Sequence, residues 1–179
     1  MKKTAITFGL LSGLIIIIYS AAVFIHFGDF AKMTSQDLSK VEMLGYLRYL
    51  ILLLTIVFAI RYFKKQAGDA VTFKPLFLAG LYTAFIVALL VGLMEATYML
   101  INPDFMEQYG ELVTNRMKEQ GASAAALAEH QKEMDNFKWM ANPAAMGIFY
   151  FLETAVIGTV ISLIVALIAR TKKMQPVMA

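Results

Sequence analysis

PLFLAGLYTAFIVALLVGLMEATYMLI, residues Pro75 to Ile101, is apolar almost throughout and carries a single formal charge, Glu95. At ~1.5 Å per residue a helix of this length crosses a hydrocarbon core of ~30 Å. Within it Gly80, Ala84, Ala88, Gly92 and Ala96 recur every four residues. Such a small-residue stripe lets neighbouring helix backbones approach closely. At ~100° per residue Glu95 falls near the middle of the arc swept by the stripe, so it should face protein rather than lipid. The stretch therefore reads as a membrane-spanning helix against which other helices pack.

Three more stretches of similar length and character lie on either side, Ile6 to Phe27, Val41 to Phe63 and Ala144 to Ala169. Composition agrees: 59% of residues are hydrophobic and 16% charged, with a mean hydropathy of +0.65, well away from an ordinary soluble domain. The expected fold is an all-α membrane protein, a single membrane domain over residues 1–179. Its transmembrane helices are expected at 6–27, 41–63, 75–101 and 144–169, with a helical insert at 102–143. The chain has no cysteine, which excludes disulfides, thiolate nucleophiles and thiolate metal sites.

Charge sets the orientation. Lys2, Lys3, Arg61, Lys64, Lys65, Lys74, Arg170, Lys172 and Lys173 stand against Asp69 alone on one side, which by the positive-inside rule should be cytoplasmic. The other side carries Asp29, Lys32, Asp37, Lys40 and Glu42. It also carries the insert, whose acids (Asp104, Glu107, Glu111, Glu119, Glu129, Glu133, Asp135) outnumber its bases (Arg116, Lys118, Lys132, Lys138). Both termini are then inside and the insert outside. Ser20 and Ala22 have the small-residue spacing of a signal-peptide cleavage site, but the apolar run continues through Val23, Phe24, Ile25 and Phe27, which suits a retained helix.

The second span contains an anomaly. Its charge-free run, Tyr49 to Ile60, rises only about 18 Å, too short to cross. The helix must begin near Val41, which sets Arg48 roughly 10 Å inside the outer boundary while Arg61 snorkels to the inner surface. Glu95 and Glu153 fall at comparable depth on the third and fourth spans, so Arg48, Glu95 and Glu153 form a candidate intramembrane polar cluster. It reads as a bridge fixing helix register, or as a ligand, ion or proton site. Tyr46, Tyr98 and Tyr150 could supply hydroxyls to either arrangement, or serve as interfacial anchors. Gly9 and Gly13 give the first span a shorter packing stripe. Gly158, Ser162 and Ala166 give the fourth another, from which Glu153 points away toward a different neighbour.

The insert reads as two short helices. Asn102 and Pro103 cap and start the first, Phe105, Tyr109, Leu112, Val113 and Met117 line one face, and Gly121 stops it. Ser123 caps the second, which runs through Leu127, Met134, Phe137 and Met140 before Asn142 and Pro143. The apolar faces need a cover, from the other helix, the membrane surface or a partner protein, in that order. Tyr109 and Trp139 read as interfacial residues.

Chemistry is mostly excluded. No phosphate loop, dinucleotide fingerprint or paired-histidine zinc motif occurs, His26 and His130 lack ligand spacing, and no serine or threonine has an evident local base. No catalytic residue, cofactor, metal or nucleic acid is expected.

The set Gly45-Tyr46, Arg61-Tyr62, Gly68, Phe73 and Gly80, then Pro103-Asp104-Phe105-Met106-Glu107-Gln108-Tyr109, Gly121-Ala122-Ser123, Asn142-Pro143, Phe151-Leu152-Glu153 and Gly158 resembles the bacterial membrane proteins grouped as domain of unknown function 4199. The resemblance covers nearly the whole chain. It implies a four-helix, multi-pass inner-membrane protein, adds interest to Glu153, and implies no activity. Val156 stands where the family would have proline, and Arg48 is not a position associated with it. The functional expectation is a non-enzymatic structural, accessory or interaction protein in the lipid bilayer, with a membrane or periplasmic partner meeting residues 102–143. The alternative is a small transporter or proton-coupled permease using Glu95 and Glu153.

Overall fold

The computed structural model describes residues 1–27, 33–68 and 71–170, and every regular element among them is helical. In chain order these are α1 (Lys2–Phe27), α2 (Ser35–Ala67), α3 (Phe73–Ile101), α4 (Phe105–Glu119), α5 (Ala124–Asn136), a 3-10 turn (Lys138–Ala141) and α6 (Pro143–Ala169). α1, α2, α3 and α6 are long and apolar enough to cross a membrane. Asp29, Lys32, Asp69, Lys172 and Lys173, which entered the charge count, lie outside the described residues.

α2 starts well before Val41, and a capping box explains why. Thr34 Oγ1 accepts from the backbone N–H of Asp37 at 3.2 Å, while the Asp37 carboxylate accepts from the Thr34 N–H at 3.4 Å and its hydroxyl at 2.7 Å. Two otherwise unpaired helix-end donors are thereby satisfied. The polar residues from Ser35 to Glu42 are therefore helix. At the far end Gly68, with φ +91°, stops α2 and donates its N–H to Lys64 O.

The contacts separate into two compact units, one comprising Met1–Ile15, Tyr49–Leu90 and Leu152–Ala179, the other Ile16–Arg48 and Val91–Phe151. In the first unit, α3 receives its neighbours through small residues. A Cβ on Gly9 would lie 2.7 Å from Ile86 Cβ, one on Gly80 would meet Ile60 and Ser162 at 2.8 Å, and one on Gly158 would meet Ala84 Cβ. Ala84 and Ala88 are fully buried. Lys64 reaches across to donate to Ala169 O at 2.7 Å, and Thr55 donates to Ser12 at 2.8 Å. In the second unit Gly92 and Gly147 bring the α3 and α6 backbones together: a Cβ on Gly92 would stand 2.6 Å from Gly147 O. Half of α3's apolar window is buried, against 22 to 28% for the other three spans, so the residues of this helix carry most of the packing.

The second unit also contains the insert. Asn102 does not cap α4; Asp104 is the N-cap residue, and the Asn102 side chain donates back to Tyr98 O, closing the end of α3. α4 ends in a paired motif in which Ala122 N–H reaches Met117 O and Gly121 N–H, from φ +76°, reaches Lys118 O. Ser123 caps α5 by accepting from Ala126 N–H at 3.2 Å.

Candidate functional site

The start of α2 packs on the apolar face of α4. Leu112 and Leu38 are buried against each other, with Met33, Phe105, Tyr109 and Val113 packed around them. Around this core Arg116 pairs with Glu42 at 3.0 Å and Ser35 donates to Glu119. Burial pushes the Tyr109 phenol above its usual range, and the Glu42 carboxylate adds to the effect. The expected covers for the insert were thus incomplete: helix α2, hidden in an apparently polar gap, covers part of α4 as well.

α5 is held more lightly. Met134 packs over Gly110, yet no α5 residue is fully buried, and Phe137 and Trp139 beyond it stand exposed. The groove between α4 and α5, about 670 Å³, is lined by mixed and solvated charges including Glu107, Glu111, Lys118, Asp135 and Lys138. Asp135 and Lys138 pair at 2.9 Å; the ammonium holds the carboxyl below its usual range and the carboxylate raises the lysine in turn. At this exposure the Asp135–Lys138 pair contributes little to stability.

In the same unit, beneath the α2–α4 core, Arg48 and Glu95 meet. Arg48 Nη1 donates to Glu95 Oε1 at 3.3 Å, and the side chains are only 17% and 11% exposed. The guanidinium also lies 4.7 Å from the centroid of the Tyr150 ring, within range for a cation–π attraction. Tyr98 stacks on Phe24 at 4.0 Å and meets the edge of Phe105 at 5.3 Å. The tyrosines therefore contribute ring faces here. Together these groups line a cavity of about 190 Å³, whose wall includes Gly45 and Glu42 as well as the Arg48–Glu95 pair.

Glu153 belongs to the other unit, where it accepts a 2.6 Å hydrogen bond from the Tyr49 hydroxyl on α2. Gly158 and Ser162 meet α3, and Gly158 also lies near Ile56 of α2, the helix that carries Tyr49. Tyr49 was not singled out by the sequence; its position in the apolar middle of a span, where a hydroxyl needs a partner, was the available signal. Among the described residues no group of three or more His, Asp or Glu could hold a metal ion.

Over residues 7–171 the chain matches the family described as protein of unknown function (DUF4199), and it belongs to that family. No curated protein and no solved structure matches it.

Proposed function

We propose that this family member is a non-catalytic accessory or structural protein of the bacterial cytoplasmic membrane, crossing it four times with both termini inside and the α4–α5 hairpin outside. Orientation rests on the charge bias along the sequence, with Lys2, Lys3, Arg61, Lys64, Lys65, Lys74 and Arg170 at one set of span ends and an insert in which acids outnumber bases. One observation supports the hairpin as the working surface. α4 is locked to α2 by an apolar core and flanking polar contacts, whereas α5, though well capped, keeps no residue fully buried and leads into exposed Phe137 and Trp139. An incompletely covered helix carried on a firmly packed neighbour is suited to meeting a partner, because it presents apolar side chains that the fold itself leaves uncovered.

The absence of cysteine permits a direct test. Single substitutions Glu129→Cys and Gln66→Cys in intact cells are probed with a membrane-impermeant maleimide; labelling only at position 129 is expected, and the opposite pattern overturns the orientation. Photocrosslinkers at Ala125 and Glu129 should give one defined adduct in native membranes while a lipid-facing control at Ile168 gives none. Recovery of a solitary, uncrosslinked monomer from every α5 position overturns the accessory reading. A second reading, a small permease, draws on the carboxylates of Glu95 and Glu153 engaged by Arg48 and Tyr49 within the spans. It requires proteoliposome flux that is lost in Glu95→Gln or Glu153→Gln.

A further inference from the structure

In the first unit, where α1 begins and α2 ends, six side chains surround a cavity of about 340 Å³: Lys3, Thr4, Thr7 and Phe8 from α1, Tyr62 and Gln66 from α2. Lys3 and Thr7, Thr4 and Phe8, and Tyr62 and Gln66 are each four residues apart, so each pair stacks on one helix face. All but Phe8 carry a hydrogen-bonding group, and none is acidic. Thr4 lines the cavity although it is only 4% exposed. Among the described residues Lys3 has no ion pair, and no hydrogen bond engages the Thr7, Tyr62 or Gln66 side chains. Thr83, Thr97 and Thr159 each donate to the carbonyl four residues earlier, but Thr7 makes no such bond to Lys3. The Tyr62 ring packs on Phe8 at 5.5 Å between centroids, which fixes the ring and leaves its hydroxyl uncommitted. We propose that this pocket binds a phosphate group, carried by the headgroup of an anionic phospholipid.

The donor set suits that group. A lysine ammonium brings three donors and a point charge, each hydroxyl brings one donor and the glutamine amide two, and no carboxylate opposes them. Lysine pairs with phosphate through charge-assisted bonds, and the neutral groups match the ester and hydroxyl oxygens of a phosphoglycerol head. The apolar continuation points to a lipid as the carrier. Leu11 lies four residues beyond Thr7 on α1 and Phe58 four residues before Tyr62 on α2, so each extends a lining face further into its span, and both are exposed. A polar, positively charged pocket that runs into an uncovered apolar track fits an amphiphile with its anionic end in the pocket. Lys2, Arg61 and Lys65, next to lining residues in sequence, add to the positive field that draws anionic lipid toward these span ends. The inference rests on the four spans lying in a membrane and not on their orientation, because the pocket takes lipid from whichever leaflet surrounds it.

The experiment places the full chain in phosphatidylcholine nanodiscs with graded phosphatidylglycerol, counts the lipids retained on release by native mass spectrometry, and follows the thermal unfolding midpoint. Wild type should retain phosphatidylglycerol saturably and in preference to phosphatidylcholine. Lys3→Gln should lower that preference about tenfold, as loss of a charge-assisted bond implies, and Tyr62→Phe, which keeps the charge, about threefold. Lys74→Gln is the control: it removes the same charge from the same set of span ends at a residue that does not line the pocket, and should change the preference by less than about twofold. Equal losses in Lys3→Gln and Lys74→Gln would mean diffuse attraction by a basic surface and overturn the proposal. A chain that enters the nanodiscs but retains the two lipids alike overturns the site alone, whereas one that does not enter them refutes the membrane reading as well. Soluble phosphate compounds carry the same chemistry, so inorganic phosphate is added to pure phosphatidylcholine nanodiscs. A midpoint raised by phosphatidylglycerol and not by phosphate assigns the site to the lipid; a midpoint raised by phosphate, without lipid preference, overturns the lipid as the source.

Discussion

Separating the Arg48–Glu95 contact by a double-mutant cycle measures what the pair contributes to the fold. The contact is long for a charge-assisted bond, 3.3 Å, but both side chains are largely excluded from solvent, and in a bilayer neither has water as a ready substitute. Insertion scales assign an isolated arginine at a helix centre about 2.5 to 3.5 kcal/mol, and breaking a buried pair by removing one partner costs roughly 3 to 5 kcal/mol. Arg48 keeps the Tyr150 ring, so Glu95→Gln should cost about 2 to 3 kcal/mol, the low side of these ranges. Arg48→Gln also loses the ring contact, and a similar cost of about 2 to 3 kcal/mol follows. If the two groups are coupled, the double variant should recover about 1 to 3 kcal/mol of the summed loss. The assay is reversible unfolding in mixed micelles as denaturing detergent is titrated in. A double variant whose loss equals the sum of the singles within about 0.5 kcal/mol refutes the coupling, and single variants more stable than wild type refute the argument that the pair supports the fold.

Two glycines in the same unit should respond with opposite signs. Gly92→Ala drives a Cβ into the Gly147 carbonyl and should cost about 1 to 3 kcal/mol, whereas Gly45→Ala meets nothing and should stabilise by up to about 1 kcal/mol in the same detergent titration. Leu112→Ala removes the centre of the α2–α4 contact, and a loss of about 2 to 5 kcal/mol is expected to appear as faster hydrogen exchange in α4 and the first turns of α2. Lys138→Gln should raise the Asp135 carboxyl toward its ordinary value, read by side-chain NMR titration. The sign follows from linkage: a depressed carboxyl stabilises above its unfolded value of about 4 and loses that contribution as pH falls. Any advantage of wild type over the variant should therefore lie at neutral pH and vanish on acidification, and because the pair is exposed the neutral-pH gap between their midpoints should be small.

What the sequence made legible, and what it hid, divides by the kind of force involved. The four spans and the α3 stripe were readable because hydropathy and the spacing of small side chains are properties of one helix: Gly80, Ala84, Ala88 and Gly92 are all buried as their four-residue repeat requires. The stops of the hairpin were readable for a similar reason, since Gly121 and Ser123 act within a few residues of themselves. The beginning of α2 was not read, because a search for apolar runs discards Ser35 to Glu42; the informative pattern was Thr34 and Asp37 at capping-box spacing. That omission concealed Leu38, and with it a cover for α4. The roles of the tyrosines were less accessible still, because which tyrosine meets a carboxylate and which turns its ring face to a guanidinium depends on the rotation of one helix against another. Tyr49 reaches Glu153, whereas Tyr150 turns its face to Arg48. Gly45 combines both limits. Its helical setting is local, but that a Cβ there would meet nothing within 4 Å shows only once the other helices are in place, so only the assembled structure distinguishes a glycine that admits a neighbouring helix from one that stands exposed.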